Sequence, residues 1–210
     1  MALGMATVAY ELRFDAGRIS LDLLATTHPE ERLDSTEVLC AWIVGSGLVP
    51  DGTDLTHADP SWLVGFRELR GRIGQLVRGA PGHGYDLAPG HGYDLASGHG
   101  YDLALAHVND VARAAPPAPR AVRDEDGALV RELDGPPGCA ALLGAIARDA
   151  VGLLTDPVAR AAIRECEGDN CPIVYLDTSR GRRRRWCSSE VCGNRERVAR
   201  HRRRAALSRT

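Results

Sequence analysis

Four of the six cysteines in this chain form two pairs with the same internal spacing. Cys166 and Cys171 make one pair and Cys187 and Cys192 the other, with fifteen residues between the pairs. Two closely spaced thiol pairs, joined by enough chain for a hairpin, are the ligand set of a tetrahedral Zn²⁺ site. Each pair makes a knuckle whose turn aims two thiolates at one ion. An iron–sulfur cluster would use the same residues, and two disulfides would use them without a metal. With four protein ligands the coordination sphere is full, whereas catalytic zinc keeps a position open for water. The one Zn²⁺ expected here is therefore structural. A segment of about fifty residues with so few apolar groups buries little surface, so the metal must supply what a core would. Cys40 and Cys139 each stand alone in a helical pattern and read as buried structural thiols.

Arginine surrounds the second pair. Arg180, Arg182, Arg183, Arg184 and Arg185 precede it, and Arg195, Arg197, Arg200, Arg202, Arg203 and Arg204 follow it. The chain has no lysine; all 26 basic residues are arginine, whose planar fork of donors suits phosphates and guanine edges. The net charge of −2 conceals an asymmetry. Residues 160–210 carry 14 Arg against six acids, a balance of +8, and the remainder carries −10. A basic tail on an acidic body points to a polyanionic partner for the tail. Nucleic acid is that partner in this reading, with DNA ahead of RNA. The blander alternative is a solvated arginine helix, which would repel itself with no anion nearby. Arg195 could bridge to Asp177 or reach a phosphate. Trp186 reads as a core residue, with base stacking the sharper alternative. Gly193, just after a ligand cysteine, suits a close backbone approach or a positive φ. Asn194 could cap the knuckle or helix with its side chain.

The elements that must position these residues read as α+β. Val8 to Phe14 suggests a strand and Ile19 to Leu24 a helix packed on it, with Asp22 a buried hydrogen-bonding residue. Asp34 and Glu37 form a capping-box pattern before a helix burying Val38, Leu39, Trp42 and Ile43. Asp59-Pro60 opens the clearest helix, with Trp62, Leu63, Phe66, Leu69, Ile73, Leu76 and Val77 at helical spacing. Ala121 to Arg123 and Leu129 to Leu133 read as a β-hairpin. Gly138 to Leu154 is an apolar helix, and Asp156-Pro157 starts a short one. Ile173 to Leu176 is a strand, Arg180 to Arg185 a hairpin tip with its returning strand, and a last helix runs to about Ala206. Val191, Val198 and Ala205, seven apart, would lay that helix on the ribbon. The expected architecture is a mostly helical domain with a small sheet over 1–158, then a treble-clef or ribbon-like four-cysteine zinc finger over 159–210 ending in an arginine-rich helix.

A tandem repeat interrupts the first domain. Over residues 82–112 the motif Gly-His-Gly-Tyr-Asp-Leu-Ala recurs three times, with a decayed fourth copy. His83, His91, His99 and His107 therefore recur every eight residues. Eight residues of ideal helix leave about 80° of drift per copy, so one helix would not align them. Slippage duplication in a surface loop explains the repeat better than a metal-binding array. The last copy leads into a helix over about Tyr101 to Ala114.

The stretch Trp186-Cys187-Ser188, with Cys192-Gly193-Asn194-Arg195 and the arginine-rich helix behind it, resembles the CGNR zinc-finger family. Cys166, Cys171 and the Asp177-x-Ser179-Arg180 stretch fit the same pattern. Gly17-Arg18-Ile19-Ser20-Leu21-Asp22-Leu23-Leu24 resembles the ABATE domain that precedes this finger. The resemblance implies a stress-response transcription regulator with a DNA-binding finger. Two departures stand out: Ala25-Thr26 replace the family's Asn-Thr, and Ser189 replaces a methionine.

Three functions fit the sequence. One is a DNA-binding regulator whose first domain senses a small-molecule effector or forms a homodimer. Another is an RNA-binding or ribosome-associated zinc protein. The third, an enzyme seated in the first domain, is disfavoured: no glycine-rich phosphate loop, nucleophile elbow or supported carboxylate pair is legible. Without a basic n-region, a long h-region or a spanning apolar stretch, the chain reads as soluble, cytoplasmic and free of membrane.

Overall fold

Helix α3 (Pro60–Gly79) is the axis of the first domain. Its start is set locally: the Asp59 carboxylate accepts from the Ser61 amide at 2.7 Å, and Pro60 occupies the first helical position. Trp62, Phe66, Leu69, Ile73, Leu76 and Val77 are buried along one face, as their spacing requires. Helices α1 (Ile19–Ala25), α2 (Thr36–Gly45), α4 (Gly98–Val111) and α5 (Cys139–Thr155) pack around it. Trp42 of α2 meets Phe66 edge-on, ring centroids 6.1 Å apart. The computed structural model describes residues 12–79 and 98–207.

Strands β1 (Pro119–Arg123) and β2 (Leu129–Leu133) form the anticipated antiparallel hairpin, with Val122 opposite Val130. The short helix α6 (Pro157–Arg160) is capped by Asp156, which accepts from Val158 and Ala159 amides. Strand β3 (Ile163–Glu165) pairs antiparallel with β4 (Val174–Leu176), and α7 (Cys192–Leu207) closes the described chain. The architecture is the expected one: a mostly helical body with a small sheet, then a four-cysteine finger ending in an arginine-rich helix.

Several local expectations change. The cap of α2 is Ser35, not Asp34. Its hydroxyl accepts from Val38 at 3.3 Å, so the helix starts one residue later than the capping-box pattern placed it. Helix α4 begins at Gly98, inside the last repeat copy, and ends at Val111. His83, His91 and the first repeat copies lie outside the described residues. The expected strand Val8–Phe14 lies partly outside them too, and Leu12 to Phe14 form no ladder. Arg180 to Arg185 form a turn rather than a returning strand; the partner of β4 comes instead from Ile163–Glu165. Cys40 and Cys139 are only half-buried, and burial pushes the Cys139 thiol up to about 11.

The body and the finger share one core. Helix α1 packs on β4, and the segment before α1 runs across the finger as a strap. The Leu176 amide donates to the Ala16 carbonyl at 2.8 Å. Gly17 follows with φ +89°, and a Cβ there would lie 3.3 Å from that of Leu176, so close approach and backbone sign both require glycine. Asp22, buried in α1, accepts from the Ala16 amide at 2.9 Å and holds the strap from the other side. Burial pushes its carboxyl up to about 6.

Candidate metal centre and its arginine surface

The first knuckle is the loop of the β3–β4 hairpin. Cys166 follows β3, and its amide donates to the Ile173 carbonyl at 2.9 Å; the Cys171 amide donates to Gly168 at 3.1 Å. Asn170 takes a positive φ of 56° to close the turn. The second knuckle opens α7. Cys187 precedes a turn in which the Ser188 hydroxyl accepts from Glu190 and Val191 amides, and Cys192 is the first residue of the helix. A hairpin loop supplying two ligands and a helix start supplying two is the treble-clef arrangement.

These elements bring all four predicted cysteines together. Their buried Sγ atoms lie within 4.8 Å of one another, with Cys171–Cys187 at 3.7 Å and Cys187–Cys192 at 3.6 Å. A tetrahedron with Zn–S bonds of about 2.3 Å has edges of about 3.8 Å. The amides of Gly168 and Cys187 point at the Cys166 sulfur, at 3.4 and 3.2 Å. The thiols also influence one another's ionisation. A hydrogen bond from Cys171 and the Arg13 charge pull Cys187 down to about 5, while Cys171 is held up by the proton it shares with Cys187. Burial and the neighbouring Cys187 push Cys192 up to about 11. The residues fit one structural Zn²⁺, held by Cys166, Cys171, Cys187 and Cys192.

The comparisons with known proteins agree with this geometry. Residues 162–205 match the CGNR zinc finger, and residues 17–157 match ABATE, described as a putative stress-induced transcription regulator. The chain belongs to the ABATE family. No curated protein matches it.

Within the ABATE body, the family motif acquires a structural role. Thr26 is buried, donates to the Leu23 carbonyl at 2.7 Å and accepts from Arg70 at 2.8 Å. Arg70, itself buried, forks onto both carboxylate oxygens of Glu31. Ala25, standing in place of the motif asparagine, is buried against the core.

In the CGNR finger, the Asp-x-Ser-Arg stretch is a turn-building device. Asp177 is buried, and its carboxylate accepts from the amides of Ser179 at 2.9 Å and Arg184 at 3.1 Å. Burial pushes this carboxyl up, but the bonds from Ser179 and Arg184 outweigh it and hold it below its ordinary value. The Ser179 hydroxyl accepts from the Arg183 amide, and Arg182 takes a positive φ of 47°. Asp177 therefore serves this turn and not Arg195. Gly193 provides close approach rather than a positive φ: a Cβ there would meet the Ser188 carbonyl at 3.3 Å and the Trp186 ring at 3.6 Å. Trp186 is half-buried against the core with Arg185 over its ring at 5.4 Å. Asn194 is exposed and makes no side-chain hydrogen bond among the described residues, so the capping role expected for it is not seen.

The eleven predicted arginines divide by their partners. Arg184 is turned inward. It donates to the carbonyls of Trp186, Cys187 and Asp15, and its guanidinium lies over Tyr175 at 4.5 Å. Arg185 pairs with Glu167 at 2.5 Å, Arg203 with Glu196 at 3.6 Å, and Arg197 donates to the Gly193 and Ser189 carbonyls. Arg180, Arg182, Arg183, Arg195, Arg200, Arg202 and Arg204 are exposed with no side-chain hydrogen bond or ion pair among the described residues. Val191, just before α7, and Val198 within it, expected to rest on the ribbon, are instead each 45% exposed.

The sequence reading missed three residues of the site. Gly168 fits tightly in the knuckle, where a Cβ would fall 3.1 Å from the Cys192 Cβ and 3.2 Å from its sulfur. Arg13 donates to the Cys187 sulfur at 3.3 Å, and Asp15 orients it. A glycine between ligand cysteines could have signalled the first; nothing local signals the other two. Of the repeat histidines among the described residues, His99 is exposed and His107 is half-buried, 3.9 Å from a Glu68 carboxylate oxygen.

Proposed function

We propose that this ABATE protein is a DNA-binding transcription regulator, not an enzyme, acting in the cytoplasm through its CGNR finger. The observation that carries this reading is the set of seven exposed arginines on α7 and the Asp177-braced turn that have no side-chain partner among the described residues. Exposed cations with no internal acid are free to neutralise phosphates and release counterions. Membership of a family described as a transcription regulator supports the same reading. No helix among the described residues is long and apolar enough to cross a membrane.

DNA is favoured over RNA by the shape of α7. A helix with an exposed arginine face fits the B-form major groove, whereas the A-form major groove is too deep and narrow to admit it. Val198 stands between Arg195 and Arg202 on the helix surface; there it would meet thymine methyl groups while the arginines hold the phosphates. The body would sense an effector or join two copies. A cleft lined by Arg18, Ser46, Leu48, Pro117, Arg131 and Asp149 is its candidate effector site.

A mobility-shift competition between duplex DNA and structured RNA tests the reading. Duplex DNA should compete better, and log K against log salt should slope at about −0.9 per phosphate contact. Replacing Arg200, Arg202 and Arg204 with alanine should flatten that slope by roughly 2 to 3. Preference for RNA, or an unchanged slope, refutes it.

A further inference from the structure

We infer that Arg13 is an outer-shell residue of the zinc centre, through which the body grips the finger at the metal. Arg13 precedes both family matches and is bound to neither knuckle by sequence. Its Nη1 nevertheless donates to the Cys187 sulfur at 3.3 Å, across 174 residues of chain. Its Nη2 donates to both Asp15 carboxylate oxygens, at 3.0 and 2.8 Å, which sets the direction of the fork. Arg184 approaches the same cysteine from the finger side, donating to the Cys187 carbonyl and to the Asp15 carbonyl at 3.1 Å. One guanidinium thus holds the sulfur and another the carbonyl of Cys187, and both are tied to Asp15.

The chemistry explains why a cation belongs there. Four thiolates outweigh one Zn²⁺ by two negative charges, and the cluster is buried. A half-buried guanidinium on a ligand sulfur offsets that excess and orients the ligand, as outer-shell donors do in metal sites generally. Because Arg13 sits on the strap held by Asp22 and Leu176, the coupling is reciprocal. Zinc stabilises the docked strap, and the docked strap raises zinc affinity by the same factor.

The test uses the zinc-loaded full chain. Zinc affinity is measured by equilibrium competition with a chromophoric chelator for the wild type, Arg13→Met and Arg13→Lys, with circular dichroism confirming each fold. Arg13→Met should lower zinc affinity by about 10- to 100-fold, and Arg13→Lys should recover part of the loss. Cadmium-113 resonances of the cadmium-loaded proteins should move in Arg13→Met, since a donor to one sulfur is gone. Wild-type zinc affinity and an unmoved cadmium resonance in a folded Arg13→Met protein would overturn the inference. Should that variant not fold, hydrogen exchange of the wild type decides. The Ala16 amide, which is bonded to Asp22 within the body, should exchange at least tenfold faster after zinc is stripped (order of magnitude). Equal exchange with and without zinc would overturn the inference.

Discussion

The helical body and the finger are held together by different physics. The body buries Trp42, Phe66, Leu21, Leu39, Ile43, Leu69, Ile73, Leu76 and Leu142 completely, and its buried Arg70 is neutralised by Glu31. The finger buries Ile163, Ile173, Val174, Tyr175 and Leu176, and then the four cysteines themselves. Its remaining surface is largely charged. A packed core makes the body stable by area removed from water; the finger needs a metal bond to close. The strap at Leu12 to Gly17 joins the two, so neither regime is wholly separate. The difference teaches where each can be broken.

The largest effect should come from the metal. Cys187→Ser removes a ligand, and structural zinc supplies roughly 10–16 kcal/mol of apparent folding free energy in small modules. The variant should lose zinc and the ordered structure of 162–207, while α3, α4 and α5 stay helical. Metal analysis and circular dichroism check this. Stoichiometric zinc in the variant would contradict a four-ligand site. Loss of the whole helical signal would show that the body depends on the finger more than its own core suggests.

The converse cut is made in the core. Trp42→Ala should destabilise the body by about 3–5 kcal/mol, the usual cost of emptying a large buried aromatic site. Trp42 is fully buried and packs on Phe66, so little collapse can fill the cavity. Thermal unfolding read by circular dichroism should fall while zinc content at low temperature holds. A drop below 1 kcal/mol (order of magnitude) would mean that this core is looser than its burial implies.

What the sequence made legible follows the same division. Periodicity located α1, α2, α3, α5 and the β1–β2 hairpin because each carries its own signal in spacing and turn residues. Cysteine spacing located the metal site because ligand identity and knuckle geometry are local. The errors came where long-range contact decides. Strand β3 is three residues long and has no pattern of its own; it exists because Ile163 pairs with Leu176. Leu12 to Phe14 look strand-like but serve as a strap, since their partners are Cys187 and the end of α2. The exposed Val198 was misplaced because a seven-residue spacing shows a stripe without showing what covers it. Arg184 and Arg202 are indistinguishable in an arginine run; only the fold turns one inward and leaves the other out.

A smaller effect tests the junction through its buried acid. Asp22 titrates at about 6 in the folded chain, above an unfolded value of about 3.9. Below about pH 4 both states hold the proton, and the carboxyl costs nothing. As pH rises towards 6 the unfolded state releases its proton first, so stability falls, and above 6 the full cost of about 2–3 kcal/mol is in place. Asp22→Asn keeps an oxygen for the Ala16 amide and carries no charge. It should therefore stabilise the zinc-loaded protein by about 1–3 kcal/mol at about pH 7.5, and by clearly less at about pH 5. Urea unfolding at the two pH values measures this. A gain that is equal at both would mean that the carboxylate is not the source.

The smallest effect comes from the backbone at the same junction. Gly17→Ala asks an L residue to adopt φ +89° and sets a methyl 3.3 Å from the Leu176 Cβ. The conformational part costs about 1 kcal/mol. The contact adds little if Leu176 can shift by a few tenths of an ångström, and more if β4 holds it. Because an added Cβ at Gly17 on the strap would press on Leu176 of β4, its cost should be shared between the two regions. Unfolding of the body and release of zinc should both move slightly and together. If zinc release moves alone, the strap belongs energetically to the finger; if unfolding of the body moves alone, it belongs to α1.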